Sequence, residues 1–147
     1  RRQRQMCIRD RYKAADNGVK IKMTIRGICC LIPTHHKNIK VISIIDRFLE
    51  HTRIFIFNNN KKNETYISSA DWMTRNLDNR VEVTCPIHDS KIKKEINDIF
   101  NIYWSDNVKS RLINQKDANV YKSDIKKSNS LRSQLEIYNY YKSKIEN

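Results

Sequence analysis

His51 stands immediately ahead of the hydrophobic run Arg53–Phe57, with Arg53 two residues further on. Residues two apart in extended chain share a face, so this imidazole and guanidinium can meet one anion together. An imidazole can attack phosphorus or pass a proton to a leaving oxygen, and an arginine holds phosphate oxygens in a fork. The bland alternative is a structural histidine at a strand edge. A second group, Ser68, Ser69, Asp71, Thr74, Arg75 and Asn76, follows the next apolar segment. Hydroxyls and backbone N–H groups in such a turn can line a phosphate nest. The same residues would equally start a helix, with Ser69 or Asp71 as its cap. Glu82, between Val81 and Val83, can orient a histidine or an arginine, or face water. Arg26 ends an earlier alternating segment and precedes Gly27. Open α/β sheets bind ligands at the carboxyl ends of their strands, and a glycine there permits close backbone approach.

Other chemistries find less support. Cys29, Cys30, His35 and His36, with Cys85 and His88, match no zinc spacing, because adjacent ligands close a tetrahedron poorly; no metal site is expected. With Gly18 and Gly27 the only glycines, neither a P-loop nor a dinucleotide fingerprint can be written. A bound nucleotide would be held by side chains and non-glycine turns. The four cysteines suit small buried residues of a reducing compartment, not a disulfide framework.

The elements that must position these residues fit one domain. The chain has 147 residues, 39% of them hydrophobic, and a formal net charge of +13. That suffices for a core of its own. It implies an acidic partner, whether nucleic acid, anionic membrane or another polyanion, unless the charge is simply a solvated surface. No apolar run approaches the roughly 20 residues of a membrane span, and no signal-peptide pattern occurs. Met6-Cys7-Ile8-Arg9-Asp10-Arg11 resembles a translated sequencing-library adapter. Residues 1–11 are therefore read as a non-native leader and 12–147 as the domain. Leaving the leader out lowers the net charge from +13 to +9, since it carries five arginines against one aspartate.

Helical turns are expected over Tyr12–Asn17, stopped by Gly18. Strands follow at Val19–Ile25, Ile39–Ile45 (nearly continuous in apolar character, hence central), Arg53–Phe57, Thr65–Ser69 and Arg80–Cys85, where Pro86 closes the last. Asn58–Asn63 reads as a hairpin loop. Ile92, Ile96, Ile99, Phe100 and Tyr103 mark a helix capped by Asp89 or Ser90, running to about Asp106 with a further turn through Arg111. Leu112–Ser130 reads as a loop with a short extended piece near Asn119–Lys122. Leu131–Ile145 reads as an amphipathic helix with Leu135, Tyr138 and Tyr141 on one side.

Several strings resemble polyphosphate kinase. They are Gly18–Ile21, Ile25–Leu31, Ile42–His51, Tyr66–Arg80, Trp104–Lys109 and Leu131–Leu135, which together represent nearly everything after Arg11. The resemblance is to the second of the family's two phospholipase D-like C-terminal domains. It implies an α/β fold, a phospholipase D-like half with a mixed sheet of about five or six strands flanked by helices. It implies reversible transfer of the terminal phosphate of ATP to inorganic polyphosphate, with Mg2+, through a phosphohistidine in the preceding domain. By the same resemblance Arg26 contacts ATP, and His51 is the second-half histidine, catalytic and also in contact with ATP. Arg53 stands where the phospholipase D pattern has a lysine. Ser68, Ser69 and Asn76 match that fold's post-strand polar turn, and Glu82 its following acidic position as an orienting carboxylate. Arg53, Ser68, Ser69, Arg75, Asn76 and Arg80 form the implied phosphate-binding set.

The resemblance also implies a fragment that is inactive alone. Its Mg2+ ligands lie elsewhere. Its partners are ATP or ADP, polyphosphate and the remaining domains of the same enzyme, which forms a homo-oligomer when complete; nucleic acid is not expected. Its place is cytoplasmic, with the periphery of the inner membrane as the other option. Two other classes are weighed against it. A phospholipase D-type phosphodiesterase or nuclease is disfavoured by arginine in place of lysine at position 53. A non-catalytic basic module is disfavoured because no groove-reading motif is present and Tyr138, Tyr140 and Tyr141 read as a helix face.

Overall fold

The computed structural model describes residues 2–27, 29–33, 36–60, 62–113, 120–122 and 130–146. In chain order the elements are α1 (Arg2–Asp16), β1 (Ile21–Ile25), β2 (Ile39–Ile44), β3 (Ile54–Asn59), β4 (Lys62–Ser68), α2 (Thr74–Asn79), β5 (Thr84–Ile87), α3 (Ser90–Ser105), β6 (Ser110–Leu112) and α4 (Ser133–Ile145). They divide into two compact units, residues 51–101 in one and residues 4–50 with 102–147 in the other.

The second unit is built on the sheet β1-β2-β6. β2 lies parallel to β1, with Ile21 opposite Ile39, and antiparallel to β6, with Ile42 opposite Leu112. The apolar run made β2 the central strand: Ile39, Val41, Ile42 and Ile44 are all buried, as expected for a strand covered on both faces. Ala15 of α1 and Leu31 join Ile39 and Val41 in the core, with Tyr12, Ile21, Met23 and Ile25 packed around them. α1 stops as expected at Gly18, whose φ is +88°. Gly18 N–H donates to the Ala15 carbonyl and Val19 N–H to that of Ala14, each at 3.0 Å, the paired bonds of a Schellman cap. The helix begins inside the segment read as a leader, and Ile8 packs on the same core as Tyr12.

The first unit holds the antiparallel sheet β3-β4-β5. The β3–β4 pairing reaches Asn59 opposite Lys62. The hairpin loop is therefore shorter than the expected 58–63, with Asn60 at φ 48°, a conformation its side chain tolerates.

Other differences are instructive. The strands form two three-stranded sheets, not one mixed sheet. The strand expected over Arg80–Cys85 lies later, at Thr84–Ile87, and Pro86 sits inside it opposite Tyr66. Proline is tolerated there because β5 is an edge strand. The Val81–Val83 alternation misled: Val81 is 100% exposed, and the backbone at Val83 is drawn to Ser69 by one main-chain and one side-chain bond short of a strand. Residues 110–112 form β6, not a helical turn. The cause is Asp106, fully buried, whose Oδ1 accepts from the N–H groups of Val108, Lys109 and Ser110 at 2.9, 2.7 and 3.0 Å. That carboxylate ends α3 and turns the chain into the strand. Its Oδ2 accepts from Ser133 N–H at 2.7 Å, satisfying an orphan donor at the start of α4. Asp89 caps α3 as expected, accepting from Lys91 and Ile92 N–H at 2.8 and 2.9 Å. Of the loop after Leu112, Tyr121 bridges to Arg111 and the rest lies largely outside the described residues. α4 leaves its apolar side uncovered: Leu135, Tyr138, Tyr141 and Ile145 are all exposed.

Candidate functional site

Residues 51–53 lie just ahead of β3 outside regular structure, and the Arg53 carbonyl accepts from Ser68 N–H at 3.0 Å. Arg53 lies partly buried beside Asp71, its Nε donating to Oδ1 at 2.8 Å and its Nη2 to Oδ2 at 3.4 Å. The side chains are 13% and 18% exposed. The remaining fork, Nη1, points at His51, 3.3 Å from Nδ1, 3.4 Å from Nε2 and 3.4 Å from the His51 carbonyl. A guanidinium only donates, so the ring nitrogen it meets acts as acceptor. The Asp71 carboxylate holds the Arg53 guanidinium above its ordinary value, with a smaller contribution from the charge of Glu82. Asp71 is the residue that reading the sequence assigned elsewhere. Neither it nor Ser69 caps α2, whose N-cap is Met73 with no side-chain cap bond. A carboxylate shortly after the strand that pairs with β3 was the available signal, since such a residue can reach back to an arginine at the β3 entry.

The turn after β4 forms a second network around Glu82. Asn76 Nδ2 donates to Oε1 at 2.7 Å, and the Ser69 hydroxyl donates to Oε2. Val83 N–H donates back to Ser69 Oγ at 3.0 Å, and Ser69 N–H to the Val83 carbonyl at 3.0 Å. Bonds from Ser69 and then Asn76 hold the Glu82 carboxyl below the usual range, assisted by the charges of Arg80 and Arg53. Glu82 therefore orients Ser69 and Asn76 through hydrogen bonds, and no histidine or arginine in that way among the described residues. Ser68 Oγ lies 2.9 Å from Thr84 Oγ1 and accepts from Ala70 N–H at 3.1 Å. Asn76 is 3% exposed, so its amide braces the turn from inside. Arg75 and Arg80 are exposed.

In the other unit, Arg26 follows β1 and its Nη1 donates to the Glu50 carbonyl at 2.5 Å. The space around Gly27 is open, so the close approach expected of it is not made by this chain's own atoms. Among the described residues no three or more His, Cys, Asp or Glu side chains gather to hold a cation. His36 is committed to Asp16 at 2.6 Å, and Cys29 donates to the Leu31 carbonyl at 3.3 Å. His35 lies outside the described residues. Among the described residues no helix is long and apolar enough to cross a membrane.

The chain is thus a mixed α/β structure that carries an imidazole, a braced guanidinium and a hydroxyl-rich turn after a strand. Its relatives give its family. The profile described as "Polyphosphate kinase C-terminal domain 2" matches residues 3–134, and the chain belongs to that family. It is 49% identical over 136 residues to the polyphosphate kinase of Vibrio parahaemolyticus, covering 89% of this chain and 19% of that protein. It is 44% identical over 137 residues to that of Escherichia coli K12, covering 90% and 20%. The crystal structure of polyphosphate kinase from Porphyromonas gingivalis superposes with a TM-score of 0.88 at 44% identity, over 95% of this chain and 22% of that one. The chain thus spans about a fifth of the length of these relatives.

Proposed function

We propose that this chain is the C-terminal part of a polyphosphate kinase that moves the terminal phosphate of ATP reversibly onto inorganic polyphosphate. Family membership supports the reaction class. The observation that carries the site is the His51 ring 3.3 Å from a guanidinium that Asp71 holds in place. In this reading a histidine of the preceding domain attacks the terminal phosphorus. The bond to the bridging oxygen breaks with its electron pair on ADP, and the phosphoryl group then passes to the terminal oxygen of polyphosphate. His51 acts as acid/base or electrostatic partner at the transferring group and also contacts ATP. Arg26 contacts the nucleotide. Arg53, Arg75 and Arg80, with Ser68 and Ser69, face chain phosphates, while Asn76 and Glu82 keep the turn in shape. Transferring phosphoryl groups carry charge over three oxygens, so fixed cations aimed at them lower the barrier.

Magnesium, when bound, would supply charge neutralisation at the phosphate oxygens. Its protein ligands, together with the phosphorylated histidine, are assigned to the rest of the enzyme by family membership. The enzyme is taken to be a cytoplasmic homo-oligomer, its fragment inactive alone, and residues 1–11 a non-native leader. Amplifying the genomic locus tests the last point by the codons upstream of Tyr12. The reaction is tested by incubating the complete enzyme with ATP labelled at the terminal phosphate. An acid-labile phosphoenzyme and labelled polymer are expected; label released only as free phosphate, or none transferred, refutes the proposal.

A further inference from the structure

The residues from Asp46 to Glu50 leave β2 without regular structure, yet their polar groups are claimed one after another. Arg132 donates to both Asp46 oxygens, from Nε at 2.7 Å and Nη2 at 2.6 Å, and the carboxylate is 2% exposed. Gln134 makes a reciprocal pair with the Phe48 backbone. Phe48 N–H donates to Oε1 at 3.1 Å, and Nε2 donates to the Phe48 carbonyl at 2.9 Å. The same Nε2 donates to Glu50 Oε1 at 2.7 Å, and the Tyr103 hydroxyl donates to Glu50 Oε2 at 2.7 Å. The Glu50 carbonyl accepts from Arg26.

Surface loops ordinarily leave such groups to water. Here partners 84 and 86 residues away in sequence are recruited instead. Ordering long side chains costs entropy. Burial of the loop's own apolar groups does not offset it, because Phe48 and Leu49 stay 65% and 79% exposed. What the bonds do achieve is a fixed exit from the loop: the Glu50 carbonyl that holds Arg26, and the peptide bond leading into His51.

We propose that Gln134, supported by Arg132, is a positioning residue for phosphoryl transfer. It fixes the Glu50 main chain and, through the Glu50 carbonyl, the guanidinium of Arg26. This rests on the assignment of Arg26 to the nucleotide made above. The test uses the complete enzyme. Gln134→Ala removes three hydrogen bonds, and the Phe48 amide is expected to exchange with deuterium about tenfold faster. The KM for ATP is expected to rise about tenfold, the worth of one to two such bonds, with kcat moving less. Gln134→Glu, nearly identical in size, keeps the acceptor for the Phe48 N–H but sets a carboxylate oxygen against the Phe48 carbonyl and the Glu50 carboxylate, so the same rise in KM is expected. If Gln134→Ala does not fold, Gln134→Glu carries the same KM measurement. Faster Phe48 exchange with KM unchanged within twofold overturns the inference while leaving the kinase reading standing. Failure of the unaltered complete enzyme to make polyphosphate overturns both.

Discussion

Removing the Asp71 charge tests whether Arg53 is held as the structure describes. Asp71→Asn keeps the shape and one acceptor oxygen for Nε but loses the charge and the second bond. Exposed ion pairs contribute about 0–1 kcal/mol, whereas stripping one partner from a fully buried pair costs about 3–5 kcal/mol. With side chains 13% and 18% exposed, this pair lies between those limits, so a loss of about 2 kcal/mol is expected. For a chain of this length each kcal/mol shifts Tm by about 3 °C, which gives a fall of about 6 °C. Differential scanning calorimetry of this chain measures it. A cycle with Arg53→Met isolates the pair, with an expected coupling above about 1 kcal/mol. If Asp71→Asn melts with the parent chain, or if the two substitutions are additive within about 0.3 kcal/mol, Arg53 is not braced by Asp71. The geometric basis for its place beside His51 would then be gone.

In the complete enzyme, His51→Ala is expected to lower ATP-dependent polyphosphate synthesis by about 10²–10⁴-fold, the usual loss for an acid/base group; unchanged turnover removes His51 from the mechanism. Acid sensitivity follows from Asp46, which the Arg132 hydrogen bond holds below the usual carboxylate range. A lowered folded value means stability that is present above the unfolded value near about 3.9 and lost as pH falls through the folded one. Urea midpoints at neutral and strongly acid pH are therefore expected to separate less in Asp46→Asn than in the parent chain, and equal separations would sink that linkage. The exposed residues Phe48, Tyr138, Tyr141 and Ile145 line an apolar groove, and such faces promote association. Sedimentation of this chain is expected to show concentration-dependent self-association that Tyr138→Glu weakens; a monomer at all concentrations would contradict it.

Much of the fold was written in side-chain periodicity. The run Ile39–Ile45 declared a strand covered on both faces, and Gly18 and Asp89 marked helix ends, because each signal is local. Val81 and Val83 alternated just as clearly, but alternation names a face and not a partner, and Ser69 drew that backbone elsewhere. β6 was hidden because its cause is the side chain of Asp106, which acts on residues two to four positions ahead and on Ser133 far beyond. His51 and Arg53 were legible as neighbours from their spacing alone. Asp71 was not, since pairing across 18 residues depends on the hairpin that returns the chain. Residue types likewise gave Ser69, Asn76 and Glu82 as candidates, but not that they bind one another.

The unit formed by residues 4–50 and 102–147 is interrupted by the whole of the other one, which bears on how the chain matures. During synthesis the hairpin of β3 and β4 can zip as soon as it emerges, whereas β2 waits some 70 residues for β6. The buried Asp106 is completed later still in synthesis, when Ser133 arrives 27 residues on to satisfy its second oxygen. A ribosome that stops shortly before Ser133 would release a polypeptide with every strand made but α4 missing and one oxygen of the buried Asp106 unanswered, a species that quality-control proteases would be expected to remove.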